Sequence, residues 1–262
     1  MHANPVSISL SSYGADLVRQ QGQESFLELL AAAGVTRVEW REELFDDAPD
    51  APDAAVLSAA SHALGLECLY SSPLELWTPD GLLDPRLPAK LALARAFGAV
   101  ALKVSLGHYH PQLDLTALQA LLHDGAPVLL VENDQTPQGG RIEPLLQFFQ
   151  RSEALALPLG MTFDIGNWQW QGESALHAAQ QLGRWVRYVH CKAVQREASG
   201  RLVAVVPQAA DLVAWETLFD EFTPGLVRAV EYPLAGADLL ALTRAQVNNL
   251  ARIGLGEEVS HA

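Results

Sequence analysis

Cysteine is scarce: the 262-residue chain has two, Cys68 and Cys191, and they form no CxxC pair. Each lies in a strand-like run, where cysteine usually serves as a small buried hydrophobe. Basic residues are also few, 17 Lys and Arg against 31 Asp and Glu, giving a net charge of -14 and a pI near 4.9. A field of that sign repels phosphate backbones and anionic lipid, so neither nucleic acid nor a membrane surface is an expected partner. No run approaches 18 apolar residues, and residues 1–10 carry no basic patch leading into a long apolar stretch. Neither a signal peptide nor a membrane span is therefore expected, and the expected location is cytoplasmic. No linker, low-complexity tract or charge run divides the chain. No glycine-rich phosphate turn follows the first strand-like run, where Ser11, Ser12, Tyr13 and Gly14 stand instead, which argues against a doubly wound dinucleotide fold.

What the chain does have is a recurring glycine at positions 34, 65, 98, 125, 160, 183, 225 and 254, after each amphipathic segment. Helices commonly stop at a left-handed glycine, which has no Cβ to oppose that backbone, so eight helices are expected. Seven of these stops lead into short β-forming runs, and an eighth run opens the chain. The runs cover residues 6–11, 36–40, 66–71, 100–105, 127–132, 161–165, 186–191 and 227–231. Pro52 marks a helix start, Asp114 and Asp238 are candidate N-caps, and Leu239, Leu240, Val247, Leu250 and Ile253 line one face of the last helix. Strands joined by crossover helices pair in parallel, and eight of them close into a single (β/α)8 TIM barrel over residues 1–262. A hydrophobic content of 49% and a charged content of 18% supply apolar surface enough for one large core.

Barrel enzymes carry their reactive groups at the carboxyl ends of the strands. The last four strands end in Glu132, Asp164, His190 and Glu231. Three carboxylates brought together would raise one another's pKa unless a cation neutralised them, and oxygen ligands with one imidazole suit Mn²⁺, Mg²⁺, Co²⁺ or Zn²⁺. One divalent ion is the expected cofactor.

At these four positions the chain resembles the xylose-isomerase-like TIM-barrel superfamily, in its hydroxypyruvate isomerase and ketose 3-epimerase branches. The likeness extends over the whole chain, and the spacings of 32, 26 and 41 residues are similar to that group's usual intervals. The resemblance implies that Glu132, Asp164, His190 and Glu231 hold one metal ion and that Glu132 and Glu231 also act as acid and base. It implies substrate contacts for Arg196, six residues after His190, and for Glu39 at the end of the second strand. Barrels of this group are often dimers or tetramers, so a homo-oligomer is an expectation. Ketose epimerases usually carry a histidine where this chain has Asn167, whose amide can bond a sugar hydroxyl but cannot carry a proton.

Lys103 on the fourth strand would be costly inside a barrel without a partner, and with Lys192 and Arg196 it favours an acidic sugar such as a keto-aldonate. Those cations resemble the epimerases of bacterial ketogluconate utilisation. His108 and His110 follow the fourth strand near the mouth, and His108 is a candidate substrate contact. Trp168 and Trp170 would serve as a sugar-ring wall or as core. His62, His123, His177, His2 and His261 read as ordinary helix or terminal histidines.

The expected chemistry is proton abstraction beside a carbonyl, through an enediolate, on a small sugar or sugar acid. Return of a proton to the opposite face of the same carbon gives epimerisation; return to the adjacent carbon gives aldose–ketose exchange. Inosose and dehydroshikimate dehydratases share the four positions and are the rival enzymatic reading. A non-catalytic sugar-binding barrel is the other. The repair endonucleases of the superfamily need more metal-binding histidines, whereas Ser71 and Asn167 stand at two strand ends here.

Overall fold

The computed structural model describes residues 3–45, 53–122 and 125–255. Eight parallel strands close into a barrel: β1 (Val6–Ser9), β2 (Arg37–Arg41), β3 (Glu67–Trp77), β4 (Ala99–Gly107), β5 (Val128–Glu132), β6 (Leu159–Asp164), β7 (Val186–Cys191) and, as the eighth member, β10 (Val227–Val230). The single-barrel expectation holds. One feature went unforeseen: β8 (Ala193–Arg196) and β9 (Leu202–Val205) pair antiparallel as a hairpin between the seventh and eighth barrel strands.

Among the described residues the α-helices are α1 (Ala15–Gln21), α2 (Leu27–Ala33), α3 (Ala54–Ala63), α4 (Leu87–Ala96), α5 (Thr116–Leu121), α6 (Ile142–Ala154), α7 (Ala175–Leu182), α8 (Ala209–Phe219) and α9 (Leu239–Arg252). Their apolar faces and the outward faces of the strands form the main core, with Trp40, Phe148, Phe149, Phe163 and Trp168 among its fully buried side chains. Asp238 caps α9 by accepting the Ala241 N–H, and Asp114 accepts the Thr116 N–H ahead of a short helix. Pro52, His123, His2 and His261 lie outside the described residues.

Six of the eight glycine stops have the expected positive φ, but Gly160 and Gly183 do not. Gly160 lies within β6, where a Cβ would meet Arg187 Cγ at 2.5 Å, and Gly183 packs against the Glu221 carbonyl, 2.3 Å from an added Cβ. Both are glycine for closeness of approach, not for handedness. The stop before β6 is Ala156 at φ 52°, the one non-glycine residue of positive φ among those described. A left-handed alanine costs about 1–2 kcal/mol, offset in part by glycine's greater unfolded-state freedom. Ala156→Gly is thus expected to stabilise the protein by about 0.5–1 kcal/mol, read from the urea unfolding midpoint; a lower midpoint would show that the alanine methyl is needed for packing.

Inside the barrel, side chains alternate along each strand. Leu69, Ala101, Leu130, Tyr188 and Ala229 form a separate apolar layer. The neighbouring layer, two residues further along these strands, is polar and just as buried: Ser71, Lys103, Glu132 and His190. Hydrogen bonds cross the lumen, since Glu39 on β2 accepts from Tyr188 on β7, and these strands are not neighbours in the barrel. Burying charged groups at this depth is costly unless they are paired, and Lys103 is paired with Glu132 and His190 Nε2 with Glu39.

Candidate metal centre

Strand register decides which side chains meet. Asp164 pairs with His190 across β6 and β7, and Glu132 and Glu231 follow on β5 and just past β10. One ligand atom from each of Glu132, Asp164, His190 and Glu231 lies within 4.8 Å of all the others. The three carboxylates share one design. Each has one oxygen fixed by the protein and the other turned toward Nδ1 of His190.

Glu132 Oε2 accepts from Lys103 Nζ at 2.6 Å while its Oε1 lies 2.8 Å from Nδ1. Asp164 Oδ1 accepts the backbone N–H groups of Gly166 and Asn167, and its Oδ2 stands 3.9 Å from Nδ1. Glu231 Oε1 is held by Arg41 at 3.0 Å and its Oε2 lies 2.9 Å from Nδ1. Despite these distances Nδ1 is a buried atom without a hydrogen bond of acceptable geometry. The other imidazole nitrogen, Nε2, is bound to Glu39 Oε2 at 2.7 Å. A ring anchored to a carboxylate on one nitrogen and aimed at carboxylate oxygens with the other is the arrangement in which histidine serves as a metal ligand. The donor set fits one divalent ion.

Local sequence places these groups. In Arg37–Arg41 the alternation of β2 turns Glu39 and Arg41 the same way, so one strand supplies both the His190 anchor and the Glu231 anchor. Gly166 passes so close to the start of the hairpin that an added Cβ would sit 2.7 Å from the Lys192 carbonyl, and this lets the loop offer two N–H groups to Asp164.

The charges shape the titrations. Burial alone would raise all four carboxyl groups. The cations beside Glu39, namely His190 and Lys103, overcome this and hold it down to about 2. Glu132 is lowered by Lys103 and His190, and Glu231 well below its usual range by His190 and Lys192. Asp164 goes the other way, to about 7, because burial and then the charges of Glu231 and Glu132 outweigh Lys192. His190 is raised well above 6.5, its burial overcome by Glu231, Glu39 and Glu132.

No family model matches the sequence, and no curated protein matches it. Solved structures do. A xylose isomerase domain containing protein from Salmonella typhimurium superposes with a TM-score of 0.70 at 16% identity, over 97% of this chain and 99% of that one. The IolI protein, solved with a zinc atom bound, gives 0.69 at 14% identity over 95% and 99%. An L-ribulose 3-epimerase gives 0.64 at 16% identity over 96% of each chain. The chain shares the (β/α)8 barrel fold of these proteins.

Within this barrel, the remaining candidates scatter. Lys103 is 3% exposed and committed to Glu132, with Glu39 at 3.9 Å. Glu39 is fully buried beneath His190. Asn167 is 4% exposed, its amide donating to the Asn133 carbonyl and accepting from Gln135 and Lys192. Arg196 is exposed at the far end of the hairpin, donating to the Gly200 carbonyl. His108 follows β4, 3.7 Å from Glu75 and outside the four-ligand group. Trp168 is fully buried against Phe163, a core residue. Arg41 and Tyr188 were not anticipated. For Arg41 the available signal was its i, i+2 relation to Glu39; for Tyr188 it was the same relation to His190.

A pH dependence follows for metal uptake. Ligation needs the Asp164 carboxylate and the bare Nδ1 of His190, and both groups have raised pKa values, so protons occupy them at pH 6 and the ion must displace them. Affinity for Mn²⁺ should rise from pH 6 to 8, by up to about tenfold per unit for each proton displaced. Calorimetry in buffers of different ionisation heat should show release falling as Asp164 ionises through about 7. A flat profile would exclude these two groups as ligands.

Proposed function

We propose that the protein is a divalent-metal isomerase or epimerase of a small sugar or sugar acid, with Glu132, Asp164, His190 and Glu231 as ligands and the two glutamates as the proton-transferring pair. The observation that carries the reading is the paired design of the carboxylates, with far oxygens fixed by Lys103, Arg41 and backbone N–H groups and near oxygens facing Nδ1. Solved barrels of this fold include an L-ribulose 3-epimerase and a zinc-bound protein, which supports the same class.

A divalent ion held by the four ligands supplies polarisation of a substrate carbonyl, which acidifies the neighbouring C–H. Glu132 and Glu231 come from strands with β6 and β7 between them, so they flank a bound substrate from two sides. One takes the proton from the carbon and the other returns one, to the opposite face or to the adjacent carbon. Lys103 and Arg41 orient these two carboxylates through their far oxygens. Glu39 keeps the His190 ring from turning.

The test is a screen of ketoses, aldoses and keto-aldonates in deuterated water with Mn²⁺, reading carbon-bound exchange by NMR. Exchange that is abolished by chelator supports the proposal. A conjugated, ultraviolet-absorbing product would instead identify a dehydratase. Tight sugar binding with no exchange would leave a binding protein.

A further inference from the structure

Three cations enter the centre, and they differ in which oxygens they hold. Lys103 and Arg41 sit on the far oxygens, Glu132 Oε2 and Glu231 Oε1, and leave the near ones free. Lys192 does the opposite. Its Nζ lies 2.6 Å from Asp164 Oδ2 and 2.8 Å from Glu231 Oε2, the two oxygens that face Nδ1. Its bond to Glu231 Oε2 has poor hydrogen-bond geometry, so the contact there is chiefly one of charge. An ammonium and a divalent ion compete for the same lone pairs and repel each other at this range.

Lys192 has somewhere to go. With Ser11, Ser12, Gln135, Glu231 and Tyr232 it lines a cavity of about 280 Å³ beside the centre. Its long unbranched stem can turn without moving β7. Charge counting says what it would meet there. With His190 neutral, as ligation requires, five carboxylates, Glu39, Glu43, Glu132, Asp164 and Glu231, face the cations Arg41, Lys103 and Lys192, two negative charges in excess. A divalent ion would cancel that excess, so a Lys192 ammonium turned into the cavity would leave its carboxylates to the ion and need an anionic partner of its own.

We propose that Lys192 is an internal cation that competes with the metal for Asp164 and Glu231, and that metal loading releases it into the adjoining cavity as the contact for an anionic group, a carboxylate, on the substrate. This rests on the reading that the four ligands hold a divalent ion. Metal occupancy and recognition of the acid are thereby coupled through one side chain. Arg196, bonded to its own hairpin, is not needed for that recognition.

The experiment compares chelator-treated and Mn²⁺-loaded protein by acetylation of lysines and peptide mass spectrometry. Lys192 should be protected without Mn²⁺ and modified several-fold faster with it, while Lys103, 3% exposed, stays protected in both and controls for unfolding. Lys192→Met should bind Mn²⁺ about tenfold or more tightly, because no paired ammonium must be displaced; Lys192→Arg should stay near the parent. Loaded parent protein should bind D-gluconate in preference to neutral sorbitol, and Lys192→Met should lose that preference. Equal Lys192 modification with Mn²⁺ bound one to one would overturn this inference and leave the metal reading standing. Failure of both parent and Lys192→Met to bind Mn²⁺ would overturn both. The labelling arm needs no variant, so a misfolded Lys192→Met does not rescue the idea.

Discussion

Replacing either Glu132 or Glu231 by Gln is expected to lower turnover by about 10²- to 10⁴-fold, the usual worth of a positioned acid or base, with the barrel intact. Each substitution keeps the size of the side chain and one oxygen. At Glu132 the retained oxygen can still face Nδ1 of His190, but Lys103, buried at 3% exposure, loses a full charge from its partner. At Glu231 the partners affected are Arg41, which also holds Glu39 and Glu43, and Lys192, which keeps Asp164, so both tolerate the loss better. Glu132→Gln should therefore unfold at a lower temperature than Glu231→Gln. In the proposed mechanism the two glutamates serve different proton transfers, so one variant should still exchange substrate hydrogen with deuterated solvent while forming no product, and in the reverse direction the pattern should invert. That asymmetry assigns the roles. Near-normal turnover in either variant, with metal content measured as unchanged, would make that glutamate a ligand only.

Removal of the imidazole should have the larger effect on metal. His190→Ala deletes Nδ1, the atom toward which three near oxygens point, and leaves fully buried Glu39 with Tyr188, Arg41 and the more distant Lys103 as partners. Glu39→Gln keeps the ring but weakens its anchor at Nε2, a loss that in outer-shell partners costs about 10- to 100-fold in affinity. The expected order of Mn²⁺ affinity, by titration calorimetry, is parent, then Glu39→Gln, then His190→Ala with uptake near abolished. His190→Ala binding as tightly as the parent would remove His190 from the ligand set. Glu39→Gln matching the parent would reduce Glu39 to a charge partner of Lys103 and Arg41.

Much of the fold was legible because a parallel barrel writes itself locally. Each strand is a short β-forming run and most helices end at a left-handed glycine, so all eight barrel strands start within two residues of the expected positions. The errors have a common cause. Gly160 and Gly183 look like helix stops, but a glycine needed for handedness and one needed for close approach are the same letter, and the neighbour that forbids a Cβ, Arg187 or Glu221, is named only by the fold. The β8–β9 hairpin escaped because Ala193–Arg196 continues directly from a strand end that already carried the site.

The ligand types were legible for a similar reason: strand ends define the mouth, so Glu132, Asp164, His190 and Glu231 could be read as neighbours without knowing any distance. The sequence by itself determined the barrel, the order of its strands and the donor set at its carboxyl end, because these depend on patterns a few residues long. Only the tertiary structure decided which oxygen of each carboxylate faces Nδ1, that Glu39 anchors His190 instead of meeting solvent, that Lys103 and Arg41 brace the far oxygens and Lys192 the near ones, and that Arg196 turns to its own hairpin. Those choices are contacts across the lumen between strands far apart in the chain, set by register and closure, and no local pattern of residues encodes them.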